Sequence, residues 1–125
     1  MLAALAAGLV AAAPASPAEQ LRVAGYCSPS GDVCYAITND SGTINFRLTL
    51  AAKYFSRYGI CVKPLGQAVT CKTFRVRKTA GSTWGRKIAW QRNFPTAGPK
   101  RYRVTWARGG RRMGPALYFT LPAPV

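Results

Sequence analysis

Arg108, Arg111 and Arg112 crowd the two ends of a Gly109-Gly110 pair in YRVTWARGGRRMGPALYFTL (residues 102–121). Arg101 and Arg103 precede them at alternate positions, and Arg75 and Arg77 stand either side of Val76. Guanidinium groups present planar forks of N–H donors that match carboxylates and phosphates, so these seven arginines are candidate contacts to an anion. A second candidate group is Lys53, Tyr54 and Arg57 in KYFSRY (53–58), where rings interleave with cations. Such mixtures can stack on bases or sugars while the cations hold the attached charge. The plainer reading of each cluster is a solvated strand edge whose charge blocks edge-to-edge pairing, with the rings covering the core.

The whole chain carries the same bias. Lys and Arg number 18 against 3 Asp and Glu, there is no His, and the formal charge is +15. Such a surface attracts polyanions: an anionic polymer, an anionic membrane surface, an acidic protein or nucleic acid. Enzymatic readings fare poorly. Without His there is no ordinary general base near neutral pH and no Ser-His or Cys-His pair. Glycosidase chemistry wants two positioned carboxylates, and the only acids are Glu19, Asp32 and Asp40, the last two in turn sequences. Metal binding is weak without His or a C-x2-C pair, and no cofactor is implied.

Residues 1–18, MLAALAAGLVAAAPASPA, form a segment apart. Leu2–Ala13 is apolar and short for a bilayer span, and two small-x-small sites follow, Ala13-Pro14-Ala15 and Ser16-Pro17-Ala18. This reads as a secretory signal peptide with cleavage before Glu19; an uncleaved N-terminal anchor is the competing reading. Residues 19–125 fit a single domain. The four cysteines, Cys27, Cys34, Cys61 and Cys71, are an even set in a short exported chain, which points to two disulfides and a secreted or envelope-associated location.

The elements that must carry the arginines are strands. Val33–Thr38, Thr43–Leu50, Ile60–Lys63, Val69–Arg77, Trp84–Phe94, Arg101–Arg108 and Ala116–Leu121 are strand-like and separated by turn signals such as NDSG (39–42) and TAGS (79–82). Thr43–Leu50 puts Ile44, Phe46, Leu48 and Leu50 on one face, and Trp84–Phe94 is expected to carry Ile88 and Trp90 inward. Cys61 and Cys71 lie symmetrically about Gly66, so a hairpin with a Leu65-Gly66-Gln67 loop would oppose them. Three connectivities are open to four cysteines; this symmetry favours Cys61–Cys71, leaving Cys27–Cys34 to close around SPSGDV. In the last hairpin, a two-residue Gly109-Gly110 loop pairs Arg108 with Arg111, Trp106 with Met113, Val104 with Pro115 and Tyr102 with Leu117. Both apolar sets then share a face, whereas a three-residue loop would separate them. Gly114-Pro115 is expected to interrupt or bulge the last strand.

From FPTAGPKRYRVTW through GPALYFTL, the chain resembles the last hairpin of small secreted bacterial immunoglobulin-like or fibronectin-like domains, with Tyr102 at a tyrosine-corner position. The usual inter-sheet cysteine pair is not in its expected place. A more distant resemblance is to neocarzinostatin-type chromoprotein apoproteins, small exported sandwiches that also join cysteines ten apart across a hairpin. Those proteins are acidic and carry their second disulfide late, so the resemblance assigns no ligand residue here.

The expectation is an all-β, seven-stranded antiparallel immunoglobulin-like sandwich with two disulfides, monomeric and non-enzymatic, engaging an anionic partner through its basic surface. A small-molecule carrier, as the chromoprotein resemblance implies, and a structural module of the cell envelope are the alternatives.

Overall fold

A computed structural model describes residues 20–79 and 81–122; the expected signal peptide lies outside them. The strands are β1 (Gln20–Cys27), β2 (Val33–Asp40), β3 (Thr43–Leu50), β4 (Arg57–Pro64), β5 (Thr70–Arg75), β6 (Arg77–Lys78), β7 (Trp84–Ala89), β8 (Arg101–Arg108), β9 (Arg111–Arg112) and β10 (Leu117–Thr120). All pair antiparallel, in two sheets. The first sheet runs β1-β2-β3-β7-β6; the second runs β10-β8-β4-β5, with β9 also beside β8. Each of the seven expected strands has a counterpart, but Val69–Arg77 is divided: β5 ends at Arg75, and beyond the buried Val76 the chain crosses to the other sheet, where Arg77 begins β6; β1 and the two-residue β9 are additional. Among the described residues no helix is long and apolar enough to cross a membrane.

Alternation sets what each sheet buries. Phe46, Leu48 and Leu50 of β3 and Tyr35 and Ile37 of β2 face Tyr58, Ile60 and Val62 of β4 and Tyr102, Val104 and Trp106 of β8. Aromatic rings knit the layers together. Tyr35 stacks on Trp106 at 4.4 Å between centroids, Tyr102 stacks on Phe119 at 4.8 Å, and Trp90 meets both Tyr102 and Phe119 edge-on. The Tyr102 hydroxyl donates to the Gly98 carbonyl (2.7 Å) and accepts from the Ala97 N–H (2.9 Å), tying β8 to the connection before it.

Both disulfides join directly opposed residues, Cys27–Cys34 on β1 and β2 and Cys61–Cys71 on β4 and β5. Their Cα atoms are 4.1 and 4.0 Å apart, close to the spacing of non-hydrogen-bonded ladder pairs. Two structural disulfides fit an oxidising, extracellular-type environment.

Two further sequence expectations need correction. Trp84–Phe94 is not one strand: β7 stops at Ala89 and Trp90–Asn93 forms a single helical turn, α1. Trp90 is buried as expected, but the chain turns beneath it, with the Asn93 side-chain amide donating to the Ala89 carbonyl at 2.7 Å. Phe94, which precedes a proline, returns to extended backbone.

The last hairpin departs from its expected register part-way along. Arg108 pairs with Arg111 across Gly109-Gly110, whose φ values of 57° and 81° suit a type I′ turn. The Met113 N–H bonds the Trp106 carbonyl. Beyond Gly114-Pro115, however, Val104 pairs with Leu117 and Tyr102 with Phe119, instead of Pro115 and Leu117. Two residues have been inserted. Pro115 has no N–H to donate to a ladder. Gly114 is held so close to the other sheet that a Cβ there would lie 2.6 Å from the Tyr35 hydroxyl. A shift of two preserves side-chain parity, so the apolar face survives.

Candidate anion-binding surfaces

The second sheet contains no carboxylate. Its strands hold nine of the chain's eighteen Lys and Arg residues and neither Asp32 nor Asp40. Register arranges the outward residues in rows across the strands. Arg75 opposes Arg57 near the hairpin end, and the next row is Thr73, Gly59, Ala107 and Arg112. The middle row is the Cys61–Cys71 disulfide and Thr105; beyond it come Lys63, Arg103 and Tyr118, then Arg101 and Thr120. Two basic bands, the first of which takes in Arg112, thus flank a low saddle of small uncharged residues. From Arg57 to Lys63 is six residues of strand, about 20 Å.

Each band has its own depression. Lys63, Leu65, Arg101, Arg103 and Tyr118 line one of about 160 Å³. Arg57, Gly59, Thr73, Ala107 and the Gly109-Gly110 tip line another of about 290 Å³. The Arg101 guanidinium lies 4.1 Å from the centre of the Tyr118 ring, a cation–π contact that orders the side chain while leaving its N–H edge free.

Arg108 and Arg111 point elsewhere. They share strand parity with Trp106 and Met113, so they leave the sheet on its core side, where the core has ended. There they line a recess of about 480 Å³ with Arg112, Met113, Phe55, Val33 and Ser28. Arg112, opposite Ala107, stands at the rim between face and recess.

The candidate contacts therefore divide. Arg75, Arg101 and Arg103 share the outer face of the second sheet, joined by Arg57, while Arg108, Arg111 and Arg112 gather at the recess. Arg77 does not join them: it pairs with Gly85 in the first sheet. The KYFSRY group is dispersed as well. Lys53 Nζ lies 5.3 Å over the Trp84 ring, Tyr54 is exposed, Phe55 enters the recess and Tyr58 is buried. Lys63, Tyr118, Phe55, Val33 and Met113 are additional lining residues that charge clustering alone does not single out.

Among the described residues, Asp32 lies in the β1–β2 turn and Asp40 at the end of β2, neither on a strand of the second sheet. Asp40 accepts from Lys87 Nζ at 2.9 Å and from the Asn45 amide at 2.7 Å. The Lys87 hydrogen bond, against some desolvation, holds its carboxyl below the usual range. Desolvation and the neighbouring Asp32 carboxylate push the Tyr54 hydroxyl up. Lys87–Asp40 is the one ion pair among the described residues, so the second sheet's cations have no carboxylate partner there. No cluster of three or more metal-ligating side chains occurs among the described residues.

The chain matches no protein-family model, no curated protein and no solved structure. What these surfaces do has to follow from their own chemistry. Like charges directly opposed in a ladder are unfavourable by a few tenths of a kcal/mol, up to about 1. Arg57/Arg75, Lys63/Arg103 and Arg108/Arg111 are three such pairs in one sheet. Solubility alone would be served by mixed signs.

Proposed function

We propose that this chain is an exported, non-enzymatic immunoglobulin-like domain that binds a linear anionic polymer across the outer face of its second sheet. The observation that carries the reading is the pair of basic bands, each containing a directly opposed like-charged pair, on a sheet without carboxylates. A polymer with charged repeats touches both bands and crosses the uncharged saddle without a clash. Its anions bring the opposed cations the counter-charge the fold withholds.

The immunoglobulin-like assignment is supported by strand order. β2-β3-β7-β6 faces β10-β8-β4-β5, the two-sheet arrangement of such domains, with β1 added outside β2. The Tyr102 hydroxyl reaching the Gly98 carbonyl supports it as well. Export is supported by the apolar leader and the two disulfides. Binding rather than catalysis is supported by the lack of His and by an Asp40 committed to Lys87.

A salt titration against size-fractionated heparin oligosaccharides tests the reading. The affinity should fall linearly with the logarithm of salt concentration. It should also stop rising once the oligosaccharide exceeds about 20 Å, the length that joins the bands. A dissociation constant unchanged between about 50 and about 500 mM salt rejects it.

A further inference from the structure

At the recess at the hairpin end the cations stand over an apolar floor made by side chains that pack against the main core. Three segments meet there: the turn after β1 with Ser28 and the first residue of β2, Val33; the β3–β4 connection with Phe55; and the β8–β9 hairpin with Arg108, Arg111, Arg112 and Met113. Val33, Phe55 and Met113 are only partly buried and pack against the main core. The floor of the recess is therefore core surface that no other described segment covers. A hairpin end that needed only solubility would not place its cations above exposed core.

The arginines are posed. Arg108 and Arg111 oppose one another across the tight turn, so neither can retreat far from the other's charge. The Arg108 guanidinium lies 5.1 Å from the centre of the Phe55 ring. Stacking on a ring fixes the plane of the guanidinium and leaves its N–H fork for an anion. Asp32, next to Val33 in the chain, forms no ion pair with these arginines. The volume, about 480 Å³, lies inside the roughly 300–1,000 Å³ span of small-molecule sites.

We infer that this recess binds an amphipathic anion, an oxyanion head group on an acyl or aryl body, with Arg108 and Arg111 on the head and Phe55, Val33 and Met113 against the body. Arg112 at the rim adds charge to the same head group. The site is separate from the polymer-binding face, because Arg108 and Arg111 leave the sheet on the opposite side from Lys63 and Arg103.

The test is a titration of the purified protein with monomeric octyl phosphate, inorganic phosphate and octyl glucoside, followed by backbone amide chemical shifts. Octyl phosphate should bind at least about tenfold tighter than either fragment probe, because head and body are held together. Its shift changes should centre on Ser28, Val33, Phe55 and residues 108–113. Arg108→Ala/Arg111→Ala and, separately, Phe55→Ala should each weaken it at least about fivefold, roughly 1 kcal/mol. Lys63→Ala/Arg103→Ala should leave it unchanged while weakening heparin oligosaccharides, which separates this site from the proposed polymer face. Equal affinity for octyl phosphate and inorganic phosphate, shift changes centred elsewhere, or indifference to the Arg108/Arg111 pair overturns the inference. Phosphatidylglycerol vesicles identify the source of the head group. Vesicle binding that the same pair abolishes supports the site with a bilayer lipid, and octyl phosphate binding without vesicle binding supports it with a free amphiphile.

Discussion

The Tyr35 hydroxyl, on the first sheet, donates at 2.6 Å to the carbonyl of Pro115, in the link between β9 and β10 of the second. The bond crosses the sandwich where β10 has slipped two residues against β8. The same hydroxyl lies where a Gly114 Cβ would need to be. One tyrosine thus stacks on Trp106, fixes the bulge and excludes side chains from it. The hairpin that presents Arg108 and Arg111 is anchored from the opposite layer.

Tyr35→Phe keeps the ring stack and removes that anchor. The expected loss is about 1 kcal/mol, which lowers Tm by about 4–8 °C in a domain of this size. Burial, reinforced by Tyr26 and partly offset by Arg112, pushes the Tyr35 hydroxyl up to about 12 from 10.0. The folded state therefore holds a proton that the unfolded state releases, and stability should decline as pH rises from 10 through about 12. Thermal melts across that window should show a shallower alkaline decline in Tyr35→Phe. An identical decline in both proteins means that another group governs the alkaline limb.

Residue parity explains both what could be read from the sequence and what could not. The Cys61–Cys71 pairing and the Gly109-Gly110 turn were legible because each is local and a one-residue error would expose the core. Gly114-Pro115 announced an interruption of the last strand but not its two-residue size, because a two-residue error leaves every face unchanged. Trp90 points inward from a strand or from a helical turn alike, so parity could not show that β7 ends at Ala89. KYFSRY looked like one basic-aromatic cluster because its residues are adjacent. Yet Arg57 and Tyr58, being consecutive in a strand, face opposite ways, and Phe55 lies in the connection. Lys63 became part of the site only through β4–β8 pairing, some forty residues apart in sequence. No local pattern announces such a partner.

Asp40 provides an acid-side prediction. Its carboxyl is held below the ordinary range first by the Lys87 hydrogen bond, with Asn45 and Thr38 contributing. A lowered folded-state value means stability is present above the unfolded-state value, near 4, and is lost as pH falls through the folded-state value. Asp40→Asn should therefore be less stable than the parent at neutral pH and converge with it on acidification. Guanidinium titrations at about pH 7 and about pH 3 measure this. A stability gap that persists unchanged at the lower pH assigns the loss to packing instead.

Arg75 and Arg77 offer the sharpest test of the polymer-binding face, because they are two residues apart and belong to different sheets. Val76 between them is buried, and its N–H bonds the Ser56 carbonyl as the chain passes from β5 to β6. Arg75 then opposes Arg57 on the basic face, while Arg77 pairs with Gly85 on the first sheet. Both are exposed, so neither alanine variant should change Tm by more than about 2 °C. Their effects on heparin binding should differ. Arg75→Ala should reduce the slope of log affinity against log salt by about 1, while Arg77→Ala should leave it unchanged. Equal reductions from both would mean that net charge, rather than the face, recruits the polymer, since the two substitutions remove the same charge and differ only in the sheet from which it is lost.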